Sequence, residues 1–114
     1  MNEAKSCIFC SIIARKIPAN IVAENDSVLV INDRAPKAPI HYLILPKTHI
    51  ENLIEMQPSQ AHHAADIMTM AHELAQKLSG SKSFRLIINN GPESGQSVFH
   101  LHAHFLSGKQ MLDF

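Results

Sequence analysis

The clearest periodicity in the chain lies between Ser59 and Ser79. Ile67, Met68, Ala71, Leu74, Ala75 and Leu78 recur there at helical spacing along one side. Pro58-Ser59 offers a start and Gly80 a stop, so a long helix is expected over Ser59–Ser79. Phe9, Ile12 and Ile13 at i, i+3 and i+4 predict a short helix within Cys7–Lys16. Ile17-Pro18 ends it, because the residue before a proline is pushed out of the α region. Elsewhere the pattern shortens. Asn20–Ala23 and Val28–Ile31 favour β structure, and the turn Glu24–Ser27 between them predicts a hairpin. Asp33–Pro39, with Pro36 and Pro39, reads as a stiff loop, and His41–Leu45 as a third strand stopped by Pro46. Ile50, Leu53 and Ile54 predict a helical turn or two. Phe84–Ile88 is a fourth strand, Asn89–Ser97 a turn-rich loop, and Val98–Leu106 a fifth strand. Strands and helices do not alternate strictly. The expected fold is therefore α+β, with a five-stranded, largely antiparallel sheet, one long helix and one short one.

Within the fifth strand the alternation is strict. His100, His102 and His104 share one face, and Phe99, Leu101, Ala103 and Phe105 share the other, which is expected to pack on the long helix. Residues i and i+2 lie about 7 Å apart along a strand, so three imidazoles can line one small site. Three readings are open. A solvent-facing polar row would more naturally use Thr, Lys or Glu. A three-histidine metal site is strained, because three consecutive i, i+2 positions span too far. The third is nucleophilic or acid–base chemistry on a phosphate, which suits a neutral imidazole. The preceding loop favours the last reading. Gly91, Gly95 and Ser97 let backbone N–H groups approach an anion, and Asn89 and Ser97 add side-chain donors.

Charge and length narrow the function further. The 114 residues suit one domain, 1–114, and ten Lys+Arg balance ten Asp+Glu. Zero net charge argues against a protein that holds nucleic acid through its phosphates and against a polybasic membrane binder. No run approaches a membrane span, and Met1–Cys10 has no apolar core of a secretory signal, so a cytoplasmic protein is expected. Cys7 and Cys10 are the only cysteines, which removes a disulfide framework. Cys7-Ile8-Phe9-Cys10 is half of a typical zinc motif, with His49 and His100 as candidates for the other half. The alternative is a pair of small buried thiols.

Taken together, CIFCSIIARKIPA, IND followed by RAPKAPIHYLILPKTHI, and INNGPESGQSVFHLHAHFLSGKQM resemble the histidine triad (HIT) superfamily, in its Hint branch of nucleotide-binding proteins. The resemblance covers almost the whole chain. It implies a homodimer with one continuous sheet, binding of a purine nucleoside monophosphate (AMP, or GMP), and hydrolysis of phosphoramidates through a nucleotidyl-histidine. It implies that His102 is the nucleophile, that His104 contacts the α-phosphate, and that His41 backs the nucleophile. It makes Asp33 the acceptor for the ribose hydroxyls. Asn89, Gly95, Gln96 and Ser97 form the phosphate loop, Ser97 being counted with the catalytic groups. Phe9, Ile12, Ile17 and Ile31 form the base pocket. In zinc-bearing members the matching ligands are Cys7, Cys10, His49 and His100, which implies a structural Zn2+.

This sequence departs from the family at three places. Arg34 stands beside the ribose where relatives commonly carry an aliphatic residue, and is counted with the nucleotide-binding residues. Ile31 stands where an aromatic is frequent. There is no Trp, whereas relatives often carry a C-terminal aromatic that reaches the partner's site, and Leu112 and Phe114 are the candidates to do this differently here. These departures bear on the leaving group more than on the reaction. The competing expectations are a dinucleoside polyphosphate hydrolase and a non-catalytic nucleotide-binding or scaffold protein. Met68, Ala71 and Leu74, with Phe84–Ile88, are the expected dimer interface.

Overall fold

A computed structural model describes residues 6–113. Its elements run in the order α1 (Ile8–Ile13), β1 (Ile21–Glu24), β2 (Val28–Asn32), β3 (Ile40–Pro46), α2 (Ala61–Gln76), β4 (Phe84–Ile87) and β5 (Ala103–Ser107), with 3-10 turns at Pro58–Gln60 and Pro92–Ser94. The five strands form one sheet in the order β1-β2-β3-β5-β4, and every neighbouring pair is antiparallel. The expected α+β architecture is therefore present.

The central strands are apolar on both faces because each face is covered. In β2, Val28 and Val30 face α2, while Leu29 and Ile31 face α1. In β3, Ile44 joins the first side, and Leu43 and Leu45 the second. The α2 side holds the larger core, in which Ile67, Met70, Ala71 and Leu74 meet Leu101, Ala103 and Phe105. The opposite side holds Cys7, Phe9, Cys10 and Ile12 from the N-terminal segment. Register then aligns the polar chemistry on this second side. Leu43 pairs with Ile31 on one flank and with His104 on the other, and His41 lies two residues before it on the same face.

Local chemistry sets the element ends. The Asn25 side chain accepts from the N–H groups of Ser27 and Val28, closing the expected β1–β2 turn. The long helix is shorter than its apolar pattern. Its first turn is 3-10, with Gln57 and Gln60 bonded reciprocally, and Gly80 turns left-handed at φ 69° beyond its end.

Four expectations are corrected. Leu53 and Ile54 lie in a turn, Ile50 precedes it in irregular backbone, and none of the three is helical. The last strand starts at Ala103 and not at Val98, because the chain before it leaves the ladder to bond elsewhere. There the Leu101 N–H donates to Ile50 O at 2.6 Å and the His100 ring to Pro46 O at 2.7 Å. Phe99, expected in the core, is exposed. Met68 is 52% exposed, whereas Ala71 and Leu74 are buried inside this chain's own core and offer nothing to a dimer contact.

Candidate active site

The three histidines of the alternating segment are held by three different devices. His100 is fully buried, and its Nε2 faces Pro46 O at 2.7 Å. A carbonyl can only accept, so Nε2 carries the proton and Nδ1 presents its lone pair. His102 shows the reverse arrangement. Its Nδ1 faces His100 O at 2.7 Å and must carry the proton, which leaves Nε2 as the bare nitrogen. His104 is set at second hand. The Lys37 N–H donates to His41 Nδ1 at 3.0 Å, so His41 carries its proton on Nε2. That Nε2 lies 2.9 Å from His104 Nδ1, which must then accept. His104 therefore carries its proton on Nε2. Two neighbouring rings, 5.3 Å apart between centroids, thus present opposite groups: a lone pair on His102 and an N–H on His104.

Burial keeps these rings neutral. Desolvation holds His102 and His41 below the ordinary histidine value, and a nearby Asp33 carboxylate only partly offsets it. His104 is pushed down to about 4, first by burial and then by the neighbouring His102 and His41. His41 does not bond to His102. It reaches the nucleophile candidate only through His104, and its Nε2 also lies 3.4 Å from Asp33 Oδ2.

Cys7, Cys10, His49 and His100 bring four donor atoms within 4.8 Å of one another. A tetrahedron built from ordinary Zn–N and Zn–S bonds needs about 3.3 Å between nitrogens and about 3.6 Å between nitrogen and sulfur. The His49 and His100 Nδ1 atoms are 3.2 Å apart, Cys7 Sγ and Cys10 Sγ lie 3.4 and 3.6 Å from His100 Nδ1, and Cys10 Sγ lies 3.2 Å from His49 Nδ1. The donor set fits a metal ion, and the Pro46 carbonyl has already oriented the His100 ring for it. Asp33, His41 and His104 also converge within 4.8 Å. They do not form a second such site, because a metal on His41 Nε2 would require a proton on Nδ1, where the Lys37 N–H already points. This second cluster is a hydrogen-bond relay.

Beside the relay lies a cleft of about 600 Å³. It is lined by Phe9, Ile12, Ile17, Ile31, Asp33 and Arg34, which are the six residues expected there from sequence. Phe9 also packs edge-on to His102, with centroids 5.1 Å apart, so the apolar floor runs up to the histidines. Leu43 and Asn32 line the cleft as well and were not anticipated. The β2–β3 register that sets Leu43 beside Ile31 is the signal that would have found Leu43.

The loop of residues 89–97 differs from its expected role. The N–H groups of Ser94, Gly95 and Gln96 all bond inward, to Gly91 O or Pro92 O. The Gln96 amide is likewise consumed. Its Oε1 accepts from Asn52 and the Gly91 N–H, and its Nε2 donates to Glu51 O and Val98 O. Gln96 therefore has no free donor for a phosphate and instead shapes the loop, with Asn52 as an unanticipated partner. Gly91 and Gly95, at φ 91° and 104°, permit the reversal. Ser97 is exposed and Asn89 half-buried. Ser97 opens onto a second cavity and not onto the cleft.

The sequence profile of the HIT domain matches residues 14–111. The chain belongs to the HIT family. This HIT protein is 43% identical over 106 residues to an uncharacterised HIT-like protein of Synechocystis, with 93% of each chain covered. It superposes on a HIT family hydrolase from Clostridium thermocellum with a TM-score of 0.91, 42% identity and 98% of both chains covered. A zinc-bound histidine triad family protein from Mycobacterium smegmatis gives a TM-score of 0.81 at 29% identity, covering 91% of this chain and 76% of the other.

Proposed function

We propose that this HIT protein is a purine nucleoside phosphoramidase, cleaving the P–N bond of AMP-amine or GMP-amine compounds. The observation that carries this reading is the pair of opposite tautomers at the end of an apolar cleft, His102 with a bare Nε2 and His104 with an Nε2–H. The base occupies the floor of Phe9, Ile12, Ile17 and Ile31, and the Asp33 carboxylate accepts from the ribose hydroxyls, with Arg34 at the rim. Asn89, Ser97 and the His104 Nε2–H hold the phosphate oxygens.

His102 Nε2 attacks phosphorus. The P–N electron pair leaves with the amine, which takes a proton from solvent. Water then attacks phosphorus, the P–Nε2 bond breaks with its electron pair returning to His102, a proton of the water passes to solvent, and the nucleoside monophosphate departs. His100 O holds the His102 Nδ1–H throughout and stabilises the positive ring of the intermediate. His41 is a positioning residue that acts through His104.

Cys7, Cys10, His49 and His100 hold a structural Zn2+ in this reading, and the zinc-bound relative supports it. Such an ion would contribute cross-linking between α1 and the histidine segment and no catalytic water. Cys7 and Cys10, buried and not joined in a disulfide, suit a reducing cytoplasm. The whole chain acts as one HIT domain, and two copies pair through the edge strand β4, where Phe84 and Ile87 are exposed. Sedimentation at micromolar concentration should give a dimer.

The deciding experiment offers adenosine 5′-phosphoramidate and a dinucleoside polyphosphate in parallel, with acid quench to trap label on His102. Preferred turnover of the phosphoramidate with trapped label is expected. Preference for the polyphosphate, or AMP binding without turnover of either compound, would overturn the reading.

A further inference from the structure

A second cavity of about 330 Å³ opens beside the cleft, lined by Ser6, Cys7, Ile8, His49, Glu51, Ser97, Val98 and Phe99. Ile8 lines both cavities, so they share a wall. In the phosphoramidase reading Ser97 holds a phosphate oxygen, and its side chain opens onto this second cavity. A nucleotide lying in the cleft with its phosphorus at His102 would therefore direct its leaving group toward this space.

The chemistry of the walls is specific. Glu51 is exposed, and its carboxylate makes no hydrogen bond or ion pair among the described residues. Its backbone is anchored, because Glu51 O accepts from Gln96 Nε2 at 2.7 Å. Ile8 and Phe99, 39% and 41% exposed, line the same cavity. Among the described residues, no Lys or Arg lines the cavity. A cavity lined by a carboxylate, an aromatic ring and an aliphatic side chain suits an ammonium at the end of a short hydrocarbon chain, held by charge and by the ring face.

We propose that this cavity is the leaving-amine subsite and that Glu51 with Phe99 selects amines carrying a second positive charge, such as diamines. The inference rests on the phosphoramidase reading and adds the class of amine. Glu51 is a specificity residue with no part in bond making.

Three AMP amides of similar length test it: one made from 1,4-diaminobutane, one from a neutral butylamine and one from 4-aminobutyrate. Their kcat/KM values are compared in the wild-type protein and in Glu51→Gln. Their affinities, with that of AMP, are measured by calorimetry in the His102→Ala protein, where no turnover intervenes. The wild type should prefer the cationic amide over the neutral one by about fivefold or more, and the anionic amide should be poorest. Glu51→Gln should collapse the cationic-to-neutral ratio toward one, and Phe99→Leu should lower it in part. Equal kcat/KM values and equal affinities for the three amides alongside measurable AMP binding would overturn the inference and leave the phosphoramidase reading standing. Absence of AMP binding to the His102→Ala protein would overturn both.

Discussion

The Lys37 N–H meets His41 Nδ1 at 3.0 Å, and this backbone contact decides which nitrogen of His104 carries a proton. An amide can only donate, so His41 donates from Nε2, and His104 receives at Nδ1 and keeps its own proton on Nε2. A residue in a proline-flanked loop thus sets the state of a ring on the central strand β5, without touching it. His41→Ala removes this relay. It should lower kcat by about 10- to 100-fold while changing AMP affinity little, and the pH profile of kcat should shift because His104 loses its fixed tautomer. An unchanged profile with lowered AMP affinity would reduce His41 to a packing role.

His102→Ala should lower phosphoramidate turnover by about a thousandfold or more, with AMP affinity retained, since the cleft is built by other residues. Single-turnover kinetics and calorimetry on the same preparation check the two halves of this statement.

Stability should depend on pH through His104. Its ring titrates near 6.5 in the unfolded chain and at about 4 in the fold, chiefly because of burial. Between those values the unfolded chain binds more protons than the folded one. The stability contribution is therefore intact above about pH 6.5, falls as the pH drops toward 4, and changes no further below that. His104→Asn leaves an oxygen to accept the His41 proton and removes the titration. The drop in Tm between pH 7 and pH 4.5 should be smaller in that variant, and an equal drop in both proteins would contradict the assignment.

Protein prepared without chelators should contain close to one zinc per described cluster of Cys7, Cys10, His49 and His100. Cys10→Ser should lower Tm by several degrees and reduce zinc content, with kcat per folded molecule affected less than stability. Zinc-free protein of unchanged Tm would count against the site.

Gln96→Ala deletes four side-chain hydrogen bonds at a buried position and leaves Asn52 and the Gly91 N–H without their acceptor. A loss of about 2–3 kcal/mol in chemical denaturation is expected. KM for the phosphoramidate should rise as well, because Ser97 sits one residue further along the same loop.

The sequence by itself determined the architecture and most of the candidate site. Apolar period alone separates α2 from the strands, because such a pattern records burial, and the His100–Phe105 alternation marks the candidate site by residue type rather than by burial, since His100 and His102 are buried just as Leu101 and Ala103 are. The Cys7–Cys10 spacing was legible from residue type, whereas the six cleft residues were legible only through the resemblance of the segments around them to the HIT family. The tertiary structure decided what each group is free to do. Gln96 has the right chemistry for a phosphate, yet four partners consume it, Glu51 and Asn52 from a distant segment and Gly91 and Val98 from its own. Ala71 and Leu74 have the character of an interface and lie in the core instead. The three histidines, identical in sequence terms, become a ring with its Nδ1 turned to the cysteines, a ring with a bare Nε2 and a ring with an Nε2–H. Which carbonyl or amide meets which ring nitrogen depends on contacts between residues as far apart in the chain as Pro46 and His100 or His41 and His104. A neutral imidazole has one proton for two nitrogens, so those contacts, made only in the folded chain, assign the roles.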